Sequence, residues 1–174
     1  MARVIRSPRA RVWRALVTPA ELIRWDTRRT SLDAPAPDHP RVGEAVLWRV
    51  ALGSVTLPLR EEPLEVIEQD RLRSEVALGS FRFEETYSLH DEPMGTTRLS
   101  LSVSAKNSMP MLGGELDRFD VRRLATERID ASLEQLQAWC EKGAGAAQMC
   151  NASGTQRSGE EKRSRSKSER SIAP

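Results

Sequence analysis

The sequence predicts an α+β fold: a curved antiparallel sheet, two short helices after its first strand, and a long C-terminal helix packed across it. Three observations predict this fold. Side chains in residues 44–106 alternate between apolar and polar. Two Ser/Thr-Pro helix starts lie within residues 7–26. The apolar residues of 114–141 recur every three or four positions. Strands with one polar and one apolar face indicate a sheet covered on one side only.

The N-terminal segment predicts one strand and two short helices. Residues 2–6 are the strand, and Ser7 is the expected N-cap of the first helix, with a proline at the first helical position. Thr18 repeats this arrangement, and Glu21 follows three positions later. That spacing is typical of a capping box, in which the two side chains satisfy each other's free backbone N–H groups.

Six strands are expected after a proline-rich loop over residues 30–43. The segments are 44–52, 55–60, 63–69, 71–78, 81–89 and 98–106. Pro58 favours an edge or bulged position because proline has no N–H to donate to a neighbouring strand. The most regular alternation places five side chains on one face of its strand: Phe81, Phe83, Glu85, Tyr87 and Leu89.

The last helix is expected over residues 114–141, with Gly143 as its stop. Its spacing aligns one stripe of residues: Val121, Ala125, Ile129, Ser132, Leu136 and Trp139. At about 1.5 Å per residue the helix would be roughly 40 Å long. That length is enough to cross a small sheet.

The composition divides the chain into a domain, residues 1–142, and a low-complexity tail, residues 143–174. The tail has almost no large apolar residue, so it is expected to be disordered. It carries six Lys or Arg against three Glu, whereas the domain has 21 basic and 22 acidic residues. The basic character therefore belongs to the tail, and the domain's charge gives no reason to expect nucleic acid.

Cofactors and metals are not expected. Cys140 and Cys150 form neither a disulfide framework nor a metal-binding motif, and His39 and His90 have no second ligand at metal spacing. The sequence contains no apolar run of transmembrane length and no secretory h-region, so a cytoplasmic location without membrane insertion is expected. Arg far outnumbers Lys, which is typical of GC-rich bacterial genomes.

Three segments carry a family resemblance: "VIRSPRARVWRALVTPAELIRWD", "EEPLEVIEQDRLRSEV" and "RIDASLEQLQAWCEK". With the order of elements, they make residues 1–142 resemble the SRPBCC superfamily, which has the helix-grip fold. That superfamily includes START-like lipid carriers, polyketide cyclases and dehydrases, pollen-allergen-like ligand binders and Hsp90-activator domains. The resemblance implies a cavity between the sheet and the C-terminal helix, but the fold alone does not identify what fills it.

Glu85 is the most informative residue for such a cavity. It lies on an apolar face between Phe83 and Tyr87, where an ionised carboxylate needs a partner or acquires a raised pKa. Arg118 and Arg122 on the last helix are candidate partners for Glu85 or for a ligand's carboxylate or carbonyl. The alternative is that Glu85 lies near a sheet edge and reaches water, with both arginines pointing outward.

The expected cavity wall contains ten residues: Trp25, Trp48, Phe83, Glu85, Tyr87, Leu101, Arg118, Arg122, Ala125 and Ile129. Of the two N-terminal tryptophans, Trp13 is expected to anchor the core, whereas Trp25 suits either the core or the cavity. Small helix residues opposite large strand residues fit a cavity, and they fit a tightly packed core equally well.

Three functions follow from the resemblance and stay open at this point. The first is binding or transport of a small hydrophobic ligand such as a lipid, an isoprenoid or an aromatic polyketide. The second is a polyketide cyclase, aromatase or dehydratase that uses the same cavity, with Glu85 or Tyr87 moving a proton. The third is an Hsp90-activator-like interaction domain. The sequence does not indicate an oligomeric state.

Overall fold

The computed structural model describes residues 1–52, 54–79, 81–106 and 129–142, and within them seven antiparallel strands form one sheet. The strands are β1 (Ala2–Ile5), β2 (Arg29–Leu32), β3 (Val46–Leu52), β4 (Val55–Ile67), β5 (Arg71–Leu78), β6 (Phe81–Glu92) and β7 (Thr96–Ala105). They are ordered β1-β7-β6-β5-β4-β3-β2. With helices α1 (Arg9–Val17), α2 (Pro19–Trp25) and α3 (129–142), this arrangement confirms the predicted α+β helix-grip class.

The N-cap predicted at Ser7 is wrong by one residue. Pro8 is the N-cap, and α1 begins at Arg9. Ser7 is instead drawn into the core, where its carbonyl accepts a 2.7 Å hydrogen bond from the Thr97 hydroxyl. The Ser7 hydroxyl is buried without a hydrogen-bond partner among the described residues, so it does not cap the helix.

The second helix begins as predicted, with Thr18 as the N-cap and Pro19 at the first helical position. The capping box, however, is absent, because the Thr18 side chain makes no cap hydrogen bond. The Glu21 carboxylate accepts hydrogen bonds from Arg11, Arg14 and Trp139 instead. Glu21 therefore links α1, α2 and α3.

Two strand predictions differ from the structure. Strand β2 lies in the segment predicted to be a loop, and the predicted strands 55–60 and 63–69 are a single strand, β4. Two prolines are accommodated in β4. Pro58 lies before the residue where pairing with β5 begins, so its missing N–H faces no neighbour on that side, and Pro63 lies at a bulge in the β4–β5 register.

The described part of α3 packs against the sheet with Leu133, Leu136 and Cys140 fully buried and Ile129 and Trp139 partly buried. Ion pairs join the same helix to β1 and the residue after it: Arg3 to Asp130 and Glu134, and Arg6 to Glu141. Burial of an apolar stripe, reinforced by these polar links, therefore attaches α3 to the sheet.

The rest of the predicted last helix, including Val121, and the predicted tail 143–174 lie outside the described residues. Contacts between backbone segments group Met1–Glu141 into one compact unit. In the described part of the chain, no helix is long and apolar enough to cross a membrane.

We expect Leu136→Ala to lower the free energy of unfolding by about 2–5 kcal/mol, because it removes a fully buried side chain and leaves a cavity beneath α3. Urea denaturation followed by circular dichroism measures this loss. Lys142→Ala, an exposed change on the same helix, serves as the control. Equal stabilities of the two variants would contradict the packing described for α3.

Candidate functional site

The candidate site lies on the face of the sheet that carries the buried side chains of Trp48, Leu72, Leu89 and Leu99, here called the covered face. Residues that are paired across antiparallel strands point to the same face. The β5–β6 register pairs Leu72 with Tyr87 and Ser74 with Glu85, and the β6–β7 register pairs Glu85 with Val103. Glu85 therefore lies on the covered face among apolar neighbours.

The same register places most of the predicted cavity residues on this face. Trp48, Phe83, Glu85, Tyr87 and Leu101 all share it. At Glu85, strand β6 is paired on both sides, so this residue is not at a sheet edge as the alternative interpretation required.

The remaining predicted residues are differently placed. Trp25 is buried where α1 meets α2, and its indole N–H donates a 2.8 Å hydrogen bond to the Ala15 carbonyl. Ile129 is partly buried at the start of the described part of α3 and packs against the core. Arg118, Arg122 and Ala125 lie outside the described residues. For all ten positions, a role in contacting a ligand stays a prediction.

A buried ion pair between Arg29 and Glu61 occupies the β2–β4 side of the covered face. Their side chains are 12% and 8% exposed, and the guanidinium N–H donates to the carboxylate over 2.9 Å. The Trp48 indole N–H donates to the same carboxylate, also over 2.9 Å. The Arg29 guanidinium lies 4.6 Å from the centre of the Trp48 ring, within cation–π range.

The electrostatics of this pair keep both groups ionised. Burial by itself raises the pKa of Glu61, but the charge of Arg29 and the two hydrogen bonds outweigh it, so the pKa is lowered. Burial likewise opposes the charge on Arg29, yet Glu61 and Asp26 raise its pKa. The pair is thus a fixed dipole within the core.

Asp26, which follows α2, extends this network toward α3. Its buried carboxylate accepts hydrogen bonds from Arg28 and Arg29, and these contacts lower its pKa against the opposing effect of burial. Arg28 also donates to the Ser132 hydroxyl on α3. Two guanidinium groups and two carboxylates therefore neutralise one another at this end of the covered face.

Glu85 and Tyr87 contrast with that network. Within the described part of the chain, neither the Glu85 carboxyl nor the Tyr87 hydroxyl makes a hydrogen bond or an ion pair. Burial is the largest cause that raises the pKa of Glu85 to about 7, with Glu61 adding to it and Arg29 opposing it. Burial and the nearby Glu85 raise the pKa of Tyr87 as well.

His39 is a component of the site that the sequence did not indicate. Its ring meets the Trp48 ring edge-on with 5.9 Å between centroids, and both ring nitrogens are buried without a partner among the described residues. Burial lowers its pKa, opposed by Glu61 and aided by Arg29. A neutral imidazole therefore lies beside the ion pair, at one end of a pocket of about 180 Å³ formed by the loop between β2 and β3.

The arrangement separates two carboxyl groups by environment. Glu61 is held ionised by Arg29, whereas Glu85 keeps its proton near neutral pH. Carboxyl groups whose pKa values are driven apart are suited to acid–base roles, and a protonated Glu85 also donates a hydrogen bond. Among the described residues, no three His, Cys, Asp or Glu side chains are grouped as metal ligands would be.

The sequence matches a known family over most of its length. The profile described as "Polyketide cyclase / dehydrase and lipid transport" aligns with residues 1–141. The chain belongs to this family. Its fold is therefore one that binds hydrophobic ligands, as the resemblance implied. No curated protein sequence matches the chain.

Solved structures that resemble this member of the polyketide cyclase/dehydrase and lipid transport family agree on the fold. Protein CV1439 from Chromobacterium violaceum is 21% identical with a TM-score of 0.64, over 81% of this chain and 95% of its own. Ara h 8.0201 is 11% identical with a TM-score of 0.61, over 80% and 94%. DynU16, from the dynemicin biosynthetic locus, is 19% identical with a TM-score of 0.60, over 82% of this chain and 46% of its own. At these identities the likeness concerns the fold alone.

We expect Glu61→Gln to lower the free energy of unfolding by about 3 kcal/mol, since it leaves a buried guanidinium with less compensating charge. The double variant Arg29→Met/Glu61→Leu should lose less than the sum of its single variants. Urea denaturation of the parent protein, Arg29→Met, Glu61→Leu and the double variant measures the coupling. Asp33→Asn, which breaks an ion pair at the surface with Arg49, should change little. Additive losses would show that the pair is not energetically coupled.

The raised pKa of Glu85 gives a second prediction. Its folded value of about 7 exceeds its ordinary value of 4.5, so the folded state binds the proton more tightly. Protonated Glu85 therefore favours folding below about pH 4.5, and this contribution is lost as the pH rises through 7. As the pH rises from 4.5 to 7, the free energy of unfolding of Glu85→Gln should therefore increase relative to that of the parent protein, by up to about 3 kcal/mol.

Urea denaturation at several pH values measures this gain. His39 gives the opposite slope below its ordinary pKa, but it is present in both proteins and cancels from the difference. Glu84→Gln, on the opposite face of β6, is the matched control: Lys106 lowers the pKa of Glu84, so the stability that this carboxylate adds is lost only below about pH 4.5, and the difference from the parent should stay constant between pH 4.5 and 7. A constant difference between Glu85→Gln and the parent across this range would exclude a raised pKa.

Proposed function

We propose that this protein binds or transports a small hydrophobic molecule, such as a lipid, an isoprenoid or an aromatic polyketide, in a cavity between the covered face and the C-terminal helix. The observation that carries the proposal is the pair Glu85 and Tyr87. Both are polar side chains on an apolar face, and neither has a partner among the described residues. A buried polar group without a partner costs free energy, and such costs concentrate at functional sites.

The exposure of Glu85 supports a hollow in front of it. The side chain keeps part of its accessible surface, yet burial is the main cause of its raised pKa. Both properties hold when a side chain faces an enclosed space rather than bulk water. The walls around that space include Val103 and Phe83, which are partly buried on the same face.

The family and one similar structure support the same class of ligand. The family description names polyketide chemistry and lipid transport, and DynU16 belongs to a biosynthetic locus. Both fit an apolar molecule with a few polar atoms. An apolar face that carries two hydrogen-bonding groups is a common form of small-molecule site, since the apolar part provides affinity and the polar part provides orientation.

We expect Val103→Trp to weaken binding of an apolar fluorescent dye, N-phenyl-1-naphthylamine, by about tenfold or more, because the indole would occupy the space opposite Glu85. Ser102→Trp places the same side chain on the exposed face of the same strand and should bind normally. Circular dichroism of both variants checks that the sheet is intact. Equal dye binding by the parent and both variants would place the ligand elsewhere.

Native mass spectrometry of the full chain adds a direct measurement. A discrete extra mass that disappears after denaturing extraction would support the proposal and give the chemical class of the bound molecule. A protein without extra mass that also fails to bind the dye would contradict it.

A second candidate function is catalysis of cyclisation or dehydration of a polyketide in the same cavity. A carboxyl with a pKa of about 7 favours it, because an acid–base catalyst works best when its pKa is near the ambient pH. The buried imidazole of His39 adds a second titratable group near Glu61. Loss of water from a linear polyketide, detected by mass spectrometry and abolished in Glu85→Gln, would establish this function.

A further inference from the structure

Among the described residues, the ionised groups at the β2–β4 side of the covered face balance one another. Asp26 and Glu61 are buried carboxylates there, and Arg28 and Arg29 are the cations that pair with them. Arg28 has a further partner in Ser132, and Arg29 lies against the Trp48 ring. Among the described residues that act electrostatically on Glu85, no cation is left to bind an anion.

The two polar groups on β6 that have no partner among the described residues, Glu85 and Tyr87, are instead hydrogen-bond donors. The Tyr87 hydroxyl is protonated at all ordinary pH values, because burial and Glu85 raise its pKa. Glu85 is protonated below about pH 7 for the same main reason, its burial. They are two residues apart on one strand, so their Cα atoms lie roughly 7 Å apart and their side chains point the same way. One acceptor oxygen between them could receive both hydrogen bonds.

We propose that the polar end of the bound molecule is a neutral hydrogen-bond acceptor, such as a ketone, ester or quinone carbonyl, held by Glu85 and Tyr87, and that the site rejects an ionised carboxylate. The inference rests on the proposed function and specifies the class of ligand. A carbonyl oxygen accepts from both donors without adding charge. A carboxylate would place an unpaired negative charge in a buried site that already holds Asp26 and Glu61.

The inference makes ligand binding depend on pH through Glu85. Four charged groups act on it: Asp26 after α2, Arg28 just before β2, Arg29 at the start of β2, and Glu61 on β4. Asp26, Arg29 and Glu61 keep one charge state through the neutral range because they are mutually paired, and His39 is neutral there. Ionisation of Glu85 removes one donor and adds a repulsive charge, so affinity for a carbonyl should fall as the pH rises past 7.

The test compares two probes of equal chain length, a long-chain methyl ketone and the corresponding fatty acid, as competitors of N-phenyl-1-naphthylamine on the full chain. At about pH 6 the ketone should displace the dye at a concentration about tenfold below that of the fatty acid. At about pH 8 its affinity should fall severalfold. Glu85→Gln keeps an N–H donor that does not ionise, so its affinity for the ketone should be the same at pH 6 and pH 8.

Two further variants separate this inference from general apolar binding. Tyr87→Phe keeps the ring but removes the hydroxyl, so it should weaken binding of the ketone by a larger factor than binding of the dye. Glu84→Gln, on the opposite face of β6, should behave like the parent protein.

The outcomes distinguish two failures. If the fatty acid displaces the dye as well as the ketone does at pH 6, the molecule binds hydrophobic ligands but the neutral-acceptor inference is overturned, in favour of the carboxylate recognition predicted for Arg118 and Arg122. The same holds if ketone binding in the parent protein is indifferent to pH and to Tyr87→Phe. If neither the dye nor the ketone binds the parent protein, the proposed function fails, and the inference fails with it.

Discussion

The buried ion pair between Arg29 and Glu61 is the interaction on which the rest of the site depends. Two charges removed from water are tolerated only when each is fully paired and hydrogen-bonded. Here that requirement joins β2 to β4 across β3, directs the Trp48 indole N–H to the Glu61 carboxylate, and brings Asp26 close enough to share Arg29. Meeting the requirement fixes the positions of three strands and of the residue that ends α2.

A second consequence concerns Glu85, which is close enough to feel these charges but is paired with none of them in the described residues. Burial raises its pKa, and the negative charge of Glu61 raises it further. Arg29 opposes both effects only in part, because its guanidinium is already paired with Glu61 and Asp26. The ionised network thus leaves a neighbouring carboxyl protonated at neutral pH. Beside the Arg29–Glu61 ion pair, Glu85 is therefore buried as a neutral acid and adds no further charge.

The fold was predictable because its signals are local and periodic. Alternation predicted β3, β5, β6 and β7 and the two parts of β4, and the spacing around Leu136 predicted the described part of the last helix. The site was only half predictable. Glu85 followed from the alternation of β6, but Glu61 was missed because β4 was divided at its prolines; continuing the pattern of Leu57 and Leu59 would have placed it on the same face. Arg29 and His39 carry no periodic signal, since only tertiary contacts bring them to the ion pair.

Burial of the Glu85 carboxyl lowers the stability of the folded protein, and packing of the core does not require a carboxyl at this position. Strand β6 is paired on both sides at this residue, between Ser74 and Val103, so the carboxyl does not escape to water at a sheet edge. An apolar residue there would continue the face made by Phe83 and Leu101 and would remove the pH-dependent penalty. A polar side chain retained against that cost, beside a second without a partner in the described residues, is expected where a protein gives up stability to recognise another molecule. The carboxyl and the hydroxyl of Tyr87 are then best understood together, as donors held ready by the sheet for a ligand oxygen.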